Sequence, residues 1–336
     1  MRREAAMVAI TGVFMAVYAG LNYFVISCVF DLVGLNGMFR GSLTAFFTIA
    51  FPLATVIERS FPNRGTRMLY AAAAFWIGVL LFLGALFAVY KLASVFIRIP
   101  DYAAGAAILS AAALLAAYSA FNASKVEVRR VRTGISARIV QLSDLHIGTV
   151  RKRPYLEKIV RMTNSLKPDV VAITGDFIDG TAPLNESLFV PLRKIRAPVL
   201  FVTGNHEIYE GEDKVKRLLR GVTVLDNTSK RIKGVQFTGV GFKKNLRTKA
   251  KGNAVLLRHT PAGMKETEKA GFRLQLSGHT HNGQIFPFNL IVKLFFPKVK
   301  GLYRIGRLML YTSPGTGTWG PYMRLGSRNE ITLFRK

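Results

Sequence analysis

Residues Ala137 to His146 read Ala-Arg-Ile-Val-Gln-Leu-Ser-Asp-Leu-His, a run of β-branched and apolar residues followed at once by an acid and an imidazole. Such a run is typical of a buried strand. Side chains alternate in direction along extended backbone, so Asp144 and His146 should lie on the same side. A carboxylate and an imidazole two residues apart can bind one ion together. The end of this strand is therefore a candidate metal site.

Four further places along the chain repeat the pattern of an apolar run followed by potential metal ligands. They are Thr174-Gly175-Asp176, Gly204-Asn205-His206-Glu207, His259 after the run 254–257, and Gly278-His279-Thr280-His281. In the first, Gly175 allows a tight backbone turn. All five histidines of the chain lie in these motifs. Histidines scattered through a core would not collect at the ends of strands, so the pattern indicates a metal site.

The ligand types narrow the choice of metal. The potential ligands are Asp144, His146, Asp176, Asn205, His259, His279 and His281. Mixed imidazole and oxygen ligands suit Mn, Fe or Zn better than Ca or Mg. The set is too large for one ion and suits two, with positions left for solvent. Two ions about 3.5–4 Å apart can hold the attacking and leaving oxygens of a phosphoryl displacement. We therefore expect two divalent transition-metal ions, with Mn as the first choice.

Strands and helices alternate around these motifs and then give way mostly to strands. The predicted strands are 137–143, 170–174, 199–203, 235–240, 254–257, 274–276, 308–311 and 331–334, with helices at 155–166 and 214–219. This order predicts a layered α/β domain with mixed sheets.

Taken in order, D-x-H, G-D, G-N-H-E, H and G-H-x-H resemble the calcineurin-like metallophosphoesterase superfamily over about residues 139–334. The tail, with its Tyr311-Thr-Ser-Pro-Gly-Thr-Gly-Thr-Trp-Gly run, resembles the branch of small bacterial membrane-associated phosphoesterases. The resemblance implies a hydrolase of phosphoric ester or phosphoanhydride bonds. It also implies two facing mixed β-sheets flanked by helices, a four-layer αββα arrangement, over residues 135–336.

The resemblance also implies roles for the site residues. Asp144, His146 and His281 would hold the first ion, Asn205, His259 and His279 the second, and Asp176 would bridge the two. A solvent molecule shared by two cations loses a proton near neutral pH, which would give a metal-bridging hydroxide as nucleophile. His206 would be the catalytic residue that stabilises developing charge or protonates the leaving oxygen.

Other polar residues near the motifs leave alternatives open. His206 could instead make a simple loop hydrogen bond. Glu207 could accept a hydrogen bond from a ligand histidine or could be solvated. We expect Asp169 to be a turn or cap residue and Asp179 to be exposed. The stretch 234–252 is shorter and more basic than is usual in the family.

Residues 1–121 form a predicted transmembrane domain of about four helices, at 5–30, 42–57, 68–89 and 103–121. A bilayer needs about 20 apolar residues per helix. The first run also exceeds the about 7–15 apolar residues of a signal peptide. The run 42–57 is the shortest and contains Pro52. The alternative is a buried helical bundle in a soluble protein. Residues 122–134 are polar and basic, which predicts a linker.

The distribution of charge along the chain indicates an orientation in the membrane and a kind of binding partner. Residues 1–121 hold eight Lys and Arg and four Asp and Glu, so 39 of the 47 basic and 15 of the 19 acidic residues lie from Asn122 onward. That excess favours an anionic partner. With four spans, nine basic residues lie on the side of the termini and three on the other. The positive-inside rule then places the catalytic domain on the cytoplasmic side, in a bacterial inner membrane if the resemblance holds.

The segment 286–296 mixes apolar residues with nearby lysines and arginine, and it is too short to span a bilayer. This composition suits a segment lying in the membrane interface, the alternative being a core strand and helix. We therefore expect membrane lipids as partners and a phosphorylated, lipid-linked substrate such as UDP-2,3-diacylglucosamine. A phosphodiesterase or phosphatase acting on soluble nucleotides or phosphoproteins is the alternative. A membrane-tethered nucleic-acid binder without catalysis is a second one, which no stacking or recognition motif supports.

Overall fold

The computed structural model describes residues Arg2 to Lys336 and divides into two compact units, with the boundary between Ala120 and Phe121. The first unit is built from four long helices, α1 Arg2–Val33, α2 Arg40–Ser60, α3 Arg64–Ala93 and α4 Asp101–Ser124. Each contains one of the predicted spans and extends beyond it at both ends. All four are long and apolar enough to cross a membrane.

Asn22, Trp76 and Phe47 link three helices of the first unit. Asn22 of α1 is fully buried and accepts a hydrogen bond from the Trp76 indole of α3 at 2.9 Å. The Trp76 ring stacks on Phe47 of α2, with centroids 4.2 Å apart. Such contacts hold helices together where burial of apolar surface gives no driving force. At the start of α3, Asn63 accepts from the backbone N–H groups of Gly65 and Thr66, which fixes where that helix begins.

The second unit is built on two six-stranded sheets. In the first, the spatial order is β1-β12-β2-β3-β4-β5, formed by Val126–Arg132, Asn329–Arg335, Ile139–Leu142, Val170–Thr174, Val199–Val202 and Thr223–Val224. In the second, it is β10-β11-β9-β8-β7-β6, formed by Gly301–Ile305, Leu308–Thr312, Leu274–Ser277, Ala254–Arg258, Val235–Val240 and Thr228–Ile232. Five helices complete the unit: α5 Arg153–Ser165, α6 Asn205–Glu210, α7 Glu212–Leu218, α8 Met264–Lys269 and α9 Phe288–Phe295.

Alternation along the strands explains the layers. In β2, Ile139 points into a core shared by both sheets, where it joins residues such as Phe237 and Leu276 of the second sheet. Its neighbour Val140 points the other way, into a core closed by Leu156 and Ile159 of α5. A further cluster covers the outer face of the second sheet, against the region of α8. This is the predicted four-layer αββα arrangement, and it confirms the predicted fold class.

Both sheets are mixed, and their parallel strands set the place of the site. Strands β2, β3, β4 and β5 run parallel, as do β7, β8, β9 and β11. The carboxyl ends of parallel strands meet at one edge of a sheet, which is where open α/β sheets bind ligands. The motifs quoted above follow β2, β3, β4, β8 and β9 directly.

The segment 122–134 differs in structure from the predicted linker. Its residues Val126–Arg132 form strand β1, which pairs in parallel with β12. Buried Val131 anchors one side of the strand, while Arg129 and Arg130 are exposed. The basic residues suggested a linker, but an edge strand that is buried on one face can carry basic residues on its exposed face.

Candidate metal centre

The first trio of predicted ligands lies at the end of β2 and in the loop after β9. The Nε2 atoms of His146 and His281 are 3.0 Å apart, and His281 Nε2 is 3.5 Å from Asp144 Oδ1. The Asp144 carboxylate is fully buried and accepts hydrogen bonds from the Ser143 hydroxyl at 2.5 Å and from the His279 backbone N–H at 3.0 Å. One oxygen and two imidazole nitrogens therefore converge on one point.

The second trio gathers around His259, at the end of β8. Its Nε2 lies 3.2 Å from Asn205 Oδ1, 3.1 Å from His279 Nδ1 and 3.2 Å from Asp176 Oδ2. The other ring nitrogen, Nδ1, is 2.8 Å from the carbonyl oxygen of Thr174. A carbonyl can only accept, so Nδ1 carries a hydrogen and Nε2 is the nitrogen left for a ligand. The structure thus brings all seven predicted ligands into two adjoining groups.

The backbone at these positions is strained. Asp144, His146, Asp176, His279 and His281 all have positive φ angles, between 48° and 74°. Residues other than glycine seldom adopt this conformation, and it gathers at functional sites where the surrounding structure enforces it. Gly175 has φ +85°, and a Cβ there would lie 2.6 Å from His259 Nδ1. Only glycine at this position lets the chain just after β3 pass this close to the His259 imidazole.

The residues fit a pair of transition-metal ions. His146 and His281 direct ring nitrogens at each other across 3.0 Å. Ring nitrogens this close either share a hydrogen or both bind one cation, and the second arrangement requires both nitrogens to be unprotonated. His259 Nε2 and His279 Nδ1 lie 3.1 Å apart and form a second pair of this kind. Nitrogen and oxygen donors together match the preferences of Mn, Fe or Zn.

Charge coupling in the site is strong. Burial disfavours a charged His259, yet the adjacent Asp176 carboxylate and its hydrogen bond raise the pKa of His259 to about 10. The pKa of Asp176 is correspondingly held well below its ordinary value, because His259 outweighs the effect of burial. Burial raises the pKa of Asp144 to about 6 and lowers the pKa of His279 to about 4. The metal-free site thus holds a proton between His259 and Asp176.

His206 lies beside the ligands and its ring orientation is fixed. Its Nδ1 is 2.8 Å from the carbonyl oxygen of Asp179, so Nδ1 is the protonated nitrogen and Nε2 is free to exchange a proton. The ring stands edge-on to His146, with centroids 4.7 Å apart. It is half-buried. A titratable ring beside the ligands and open to solvent is suited to proton transfer.

Glu207 has a role that the sequence did not indicate. It is fully buried and accepts hydrogen bonds from the backbone N–H groups of Gly204, Asp176, Phe177 and Ile178, at 2.7 to 3.3 Å. It contacts no ligand histidine and is not solvated. It ties the Asp176 loop to the Asn205 loop instead. Its position three residues after Gly204, at the start of α6, matches a capping box and could have signalled this.

Two residues near the site, Asp179 and Arg324, have surroundings that the sequence did not predict. Asp179 was expected to be exposed but is 5% exposed, and burial raises its pKa to about 6. Its carboxylate accepts from the Thr181 hydroxyl at 2.7 Å and shares a third cluster of potential ligands with His146 and His206. Arg324 is fully buried and donates to the carbonyl oxygens of His281 and Pro314, at 3.1 and 2.8 Å. It thereby holds the His281 loop against the loop after β11.

Comparison with known proteins agrees with this geometry. Residues 137–283 match the sequence family described as calcineurin-like phosphoesterase. A metallophosphoesterase of Aquifex aeolicus is 31% identical over 233 residues, which cover 62% of this chain and 88% of that protein. This chain belongs to the calcineurin-like phosphoesterases.

Two further relatives are matched over only part of their length. A Bos taurus protein described as a transmembrane protein with metallophosphoesterase domain is 35% identical over 264 residues, 67% of this chain and 59% of that protein. A Helicobacter pylori metallophosphoesterase is 31% identical over 218 residues, 59% of each chain. The phosphoesterase thus spans about three fifths of the length of these two relatives. Together with the four apolar helices, the similarity marks it as a membrane protein.

Proposed function

We propose that the protein is a membrane-anchored hydrolase that uses two divalent transition-metal ions to cleave a phosphoester or phosphoanhydride bond in a lipid-linked molecule. The observation that carries the proposal is the convergence of seven oxygen and nitrogen ligands, in two groups, at the carboxyl ends of parallel strands. A binuclear arrangement of this kind suits phosphoryl displacement, because two cations can hold both the attacking and the leaving oxygen.

The side chains divide the work. Asp144, His146 and His281 would hold one ion, Asn205, His259 and His279 the other, and Asp176 would contribute to both because a carboxylate has two oxygens. When bound, the ions supply positive charge for the phosphoryl oxygens and lower the pKa of bound solvent. Ser143 and the His279 backbone N–H fix the Asp144 carboxylate in place. Glu207 keeps the loops that carry Asp176 and Asn205 in register.

His206 would protonate the leaving oxygen. Its Nδ1–H is fixed by the carbonyl of Asp179, so only Nε2 can deliver a proton. It lies next to the trio of Asp144, His146 and His281 without being needed to complete it. A positioned general acid is worth about 10²–10⁴-fold in rate.

The lipid-linked substrate is supported by the surroundings of the site. Phe296 packs edge-on against His279, with ring centroids 5.3 Å apart, and Trp319 lies 6.1 Å from His206. Trp319 is 46% exposed. A binuclear centre bordered by apolar rings, in a chain with four helices of membrane length, suits a substrate with an apolar portion. We further propose Mn as the metal and a cytoplasmic catalytic domain in a bacterial inner membrane, from the ligand types and the basic bias of the loops.

A substrate panel tests the proposal. The full chain, purified in detergent and supplied with Mn²⁺, would be assayed with lipid pyrophosphates including UDP-2,3-diacylglucosamine, with soluble nucleotides, and with an aryl phosphodiester. Asn205→Ala serves as the control for contaminating activity. Hydrolysis fastest on lipid pyrophosphates, and lost in the variant, is expected. Preference for soluble nucleotides would replace the lipid-linked substrate, and retention of DNA without release of phosphate from any substrate would contradict catalysis.

A further inference from the structure

Helix α9 and the residue two before it present a continuous set of apolar side chains to solvent. Phe286, Phe288, Leu290, Ile291, Leu294 and Phe295, here called the apolar platform, are each between 40% and 80% exposed. No residue of α9 is buried. Exposed apolar patches rimmed by polar residues mark contacts with proteins or membranes, because single exposed apolar residues are common but clusters are costly in water.

The chain on either side of the platform carries charge of one sign. From residue 269 to residue 329 the chain contains nine Lys and Arg and no Asp or Glu. Lys293 lies on α9 itself and is exposed, and Lys298, Lys300 and Arg304 follow within nine residues of the end of the helix. Lysines and arginines flanking an apolar helix face are attracted to anionic headgroups, each by electrostatics that act within a Debye length.

The platform is continuous with the metal centre. Phe296, directly after α9, is half-buried and packs against the His279 ring. Gln284, shortly before α9, donates to the carbonyl oxygen of Trp319 at 2.9 Å and accepts from its backbone N–H at 3.0 Å. Trp319 in turn borders His206. A surface that contacts the platform therefore lies at the rim of the site.

We propose that the apolar platform docks into the headgroup region of a bilayer that contains anionic lipids, and that the metal centre thereby opens at the membrane surface. The occupant is a bilayer because the chain itself carries four helices of membrane length and because the flanking charges are all basic. The docking rests on the proposed function in one respect: it would give the site access to lipid-linked phosphates. The docking itself requires no hydrolysis.

Site-specific quenching tests this docking. Cys28 is the only cysteine, so a Cys28→Ser background allows one labelled position. A fluorophore that nitroxides quench would be attached at Leu294→Cys or at Phe295→Cys. The native side chains there are 80% and 75% exposed. The full chain would be placed in nanodiscs of phosphatidylcholine with or without phosphatidylglycerol, each doped with lipid that carries a nitroxide near the headgroup. Lys230→Cys, exposed on β6 at the edge of the second sheet opposite β10, is the matched control.

Loss of most of the fluorescence at positions 294 and 295, greater with phosphatidylglycerol and absent at position 230, is the expected result. No quenching at 294 and 295 in either membrane would overturn the docking. Quenching of equal strength in both membranes would overturn the part assigned to the basic residues. Hydrolysis of a soluble aryl phosphodiester is measured in the same nanodiscs. Quenching without hydrolysis would refute the proposed function alone, and hydrolysis without quenching would refute the docking alone.

Discussion

Asp176 and His259 share a proton in the metal-free site, and this sharing can be measured. At pH 7, below the pKa of about 10, His259 is an imidazolium whose Nδ1–H is held by the carbonyl of Thr174, so the second proton sits on Nε2. A metal needs that nitrogen unprotonated, so binding must expel the proton. Asp144, with a pKa of about 6, adds a second proton to be expelled at more acidic pH.

We therefore predict that Mn²⁺ added to chelator-treated protein at pH 7 releases protons, and that affinity rises with pH toward 10 and falls below pH 6. Titration calorimetry in two buffers of different ionisation enthalpy measures the release. His259→Gln, which cannot hold this proton, should lower the number of protons released. A heat of binding that is the same in both buffers for the unmodified chain would contradict the shared proton.

At His206, the effects of a substitution on metal binding and on turnover can be measured separately. His206→Ala should keep its metal, because the seven ligands remain, while turnover falls by about 10²–10⁴-fold through loss of the proton donor. Metal content and steady-state rates measured on the same preparation check this. Asn205→Ala, one residue earlier, should lose metal as well as activity. If His206→Ala also loses metal, His206 is a ligand and the assigned role is wrong.

The convergence of the seven proposed ligands was predictable because each follows an apolar run, and the ends of parallel strands converge in any α/β sandwich. The tie from Glu207 to the Asp176 loop and the contacts of Arg324 were not, since those partners are backbone groups of distant loops. The burial of Asp179 was also missed. Nothing in a Gly-Asp-Phe-Ile-Asp run tells which acid is covered, because Asp179 lies against Gly148 of another loop.

At the level of secondary-structure elements, neighbouring residues at the end of α9 differ sharply in solvent exposure. Leu294 and Phe295 are 80% and 75% exposed, whereas Phe296 contacts His279. Leu294→Ser with Phe295→Ser should lower hydrolysis of a long-chain lipid substrate in vesicles, because each lost side chain removes about 25 cal/mol per Å² of lipid contact. Hydrolysis of a soluble phosphodiester and the melting temperature should not change.

Phe296→Ser provides the comparison, since loss of its packing on a ligand histidine should reduce hydrolysis of both substrates. Rates on the two substrates and a thermal melt of each variant are the measurements. Equal loss of both activities in the Leu294→Ser/Phe295→Ser variant, with a lowered melting temperature, would show that these side chains are core residues. It would favour the soluble-substrate alternative.

The strands of the core were predictable and the edge strands were not. Central strands such as β3 are apolar throughout, which is how strands buried on both faces read. Strand β1 is basic, β5 has two residues, and β6 is almost wholly exposed. An edge strand has one neighbour and an exposed face, so its pairing is decided by the strand it meets and not by its own pattern.

For the whole molecule, the basic bias of the loops makes a prediction about topology. With nine basic residues on the side of the termini and three on the other, the C-terminal Lys336 should lie in the cytoplasm. A C-terminal fluorescent protein that matures only in the cytoplasm should therefore fluoresce. A phosphatase reporter that is active only in the periplasm, fused at the same position, is the control and should stay inactive. Activity of the periplasmic reporter would reverse the orientation and remove access to cytoplasmic nucleotide-linked lipids.

The central claim is that one chain assembles a binuclear metal centre from motifs spread between Asp144 and His281. Elemental analysis of purified, active protein tests it most directly. Two transition-metal ions per chain are predicted, and Asp176→Ala should lose both, because Asp176 is the only proposed shared ligand. Asp169→Ala removes a carboxylate that accepts from the Arg138 backbone N–H at 2.8 Å and is not among the proposed ligands, so it should keep both ions. One ion or none in active protein would contradict the account.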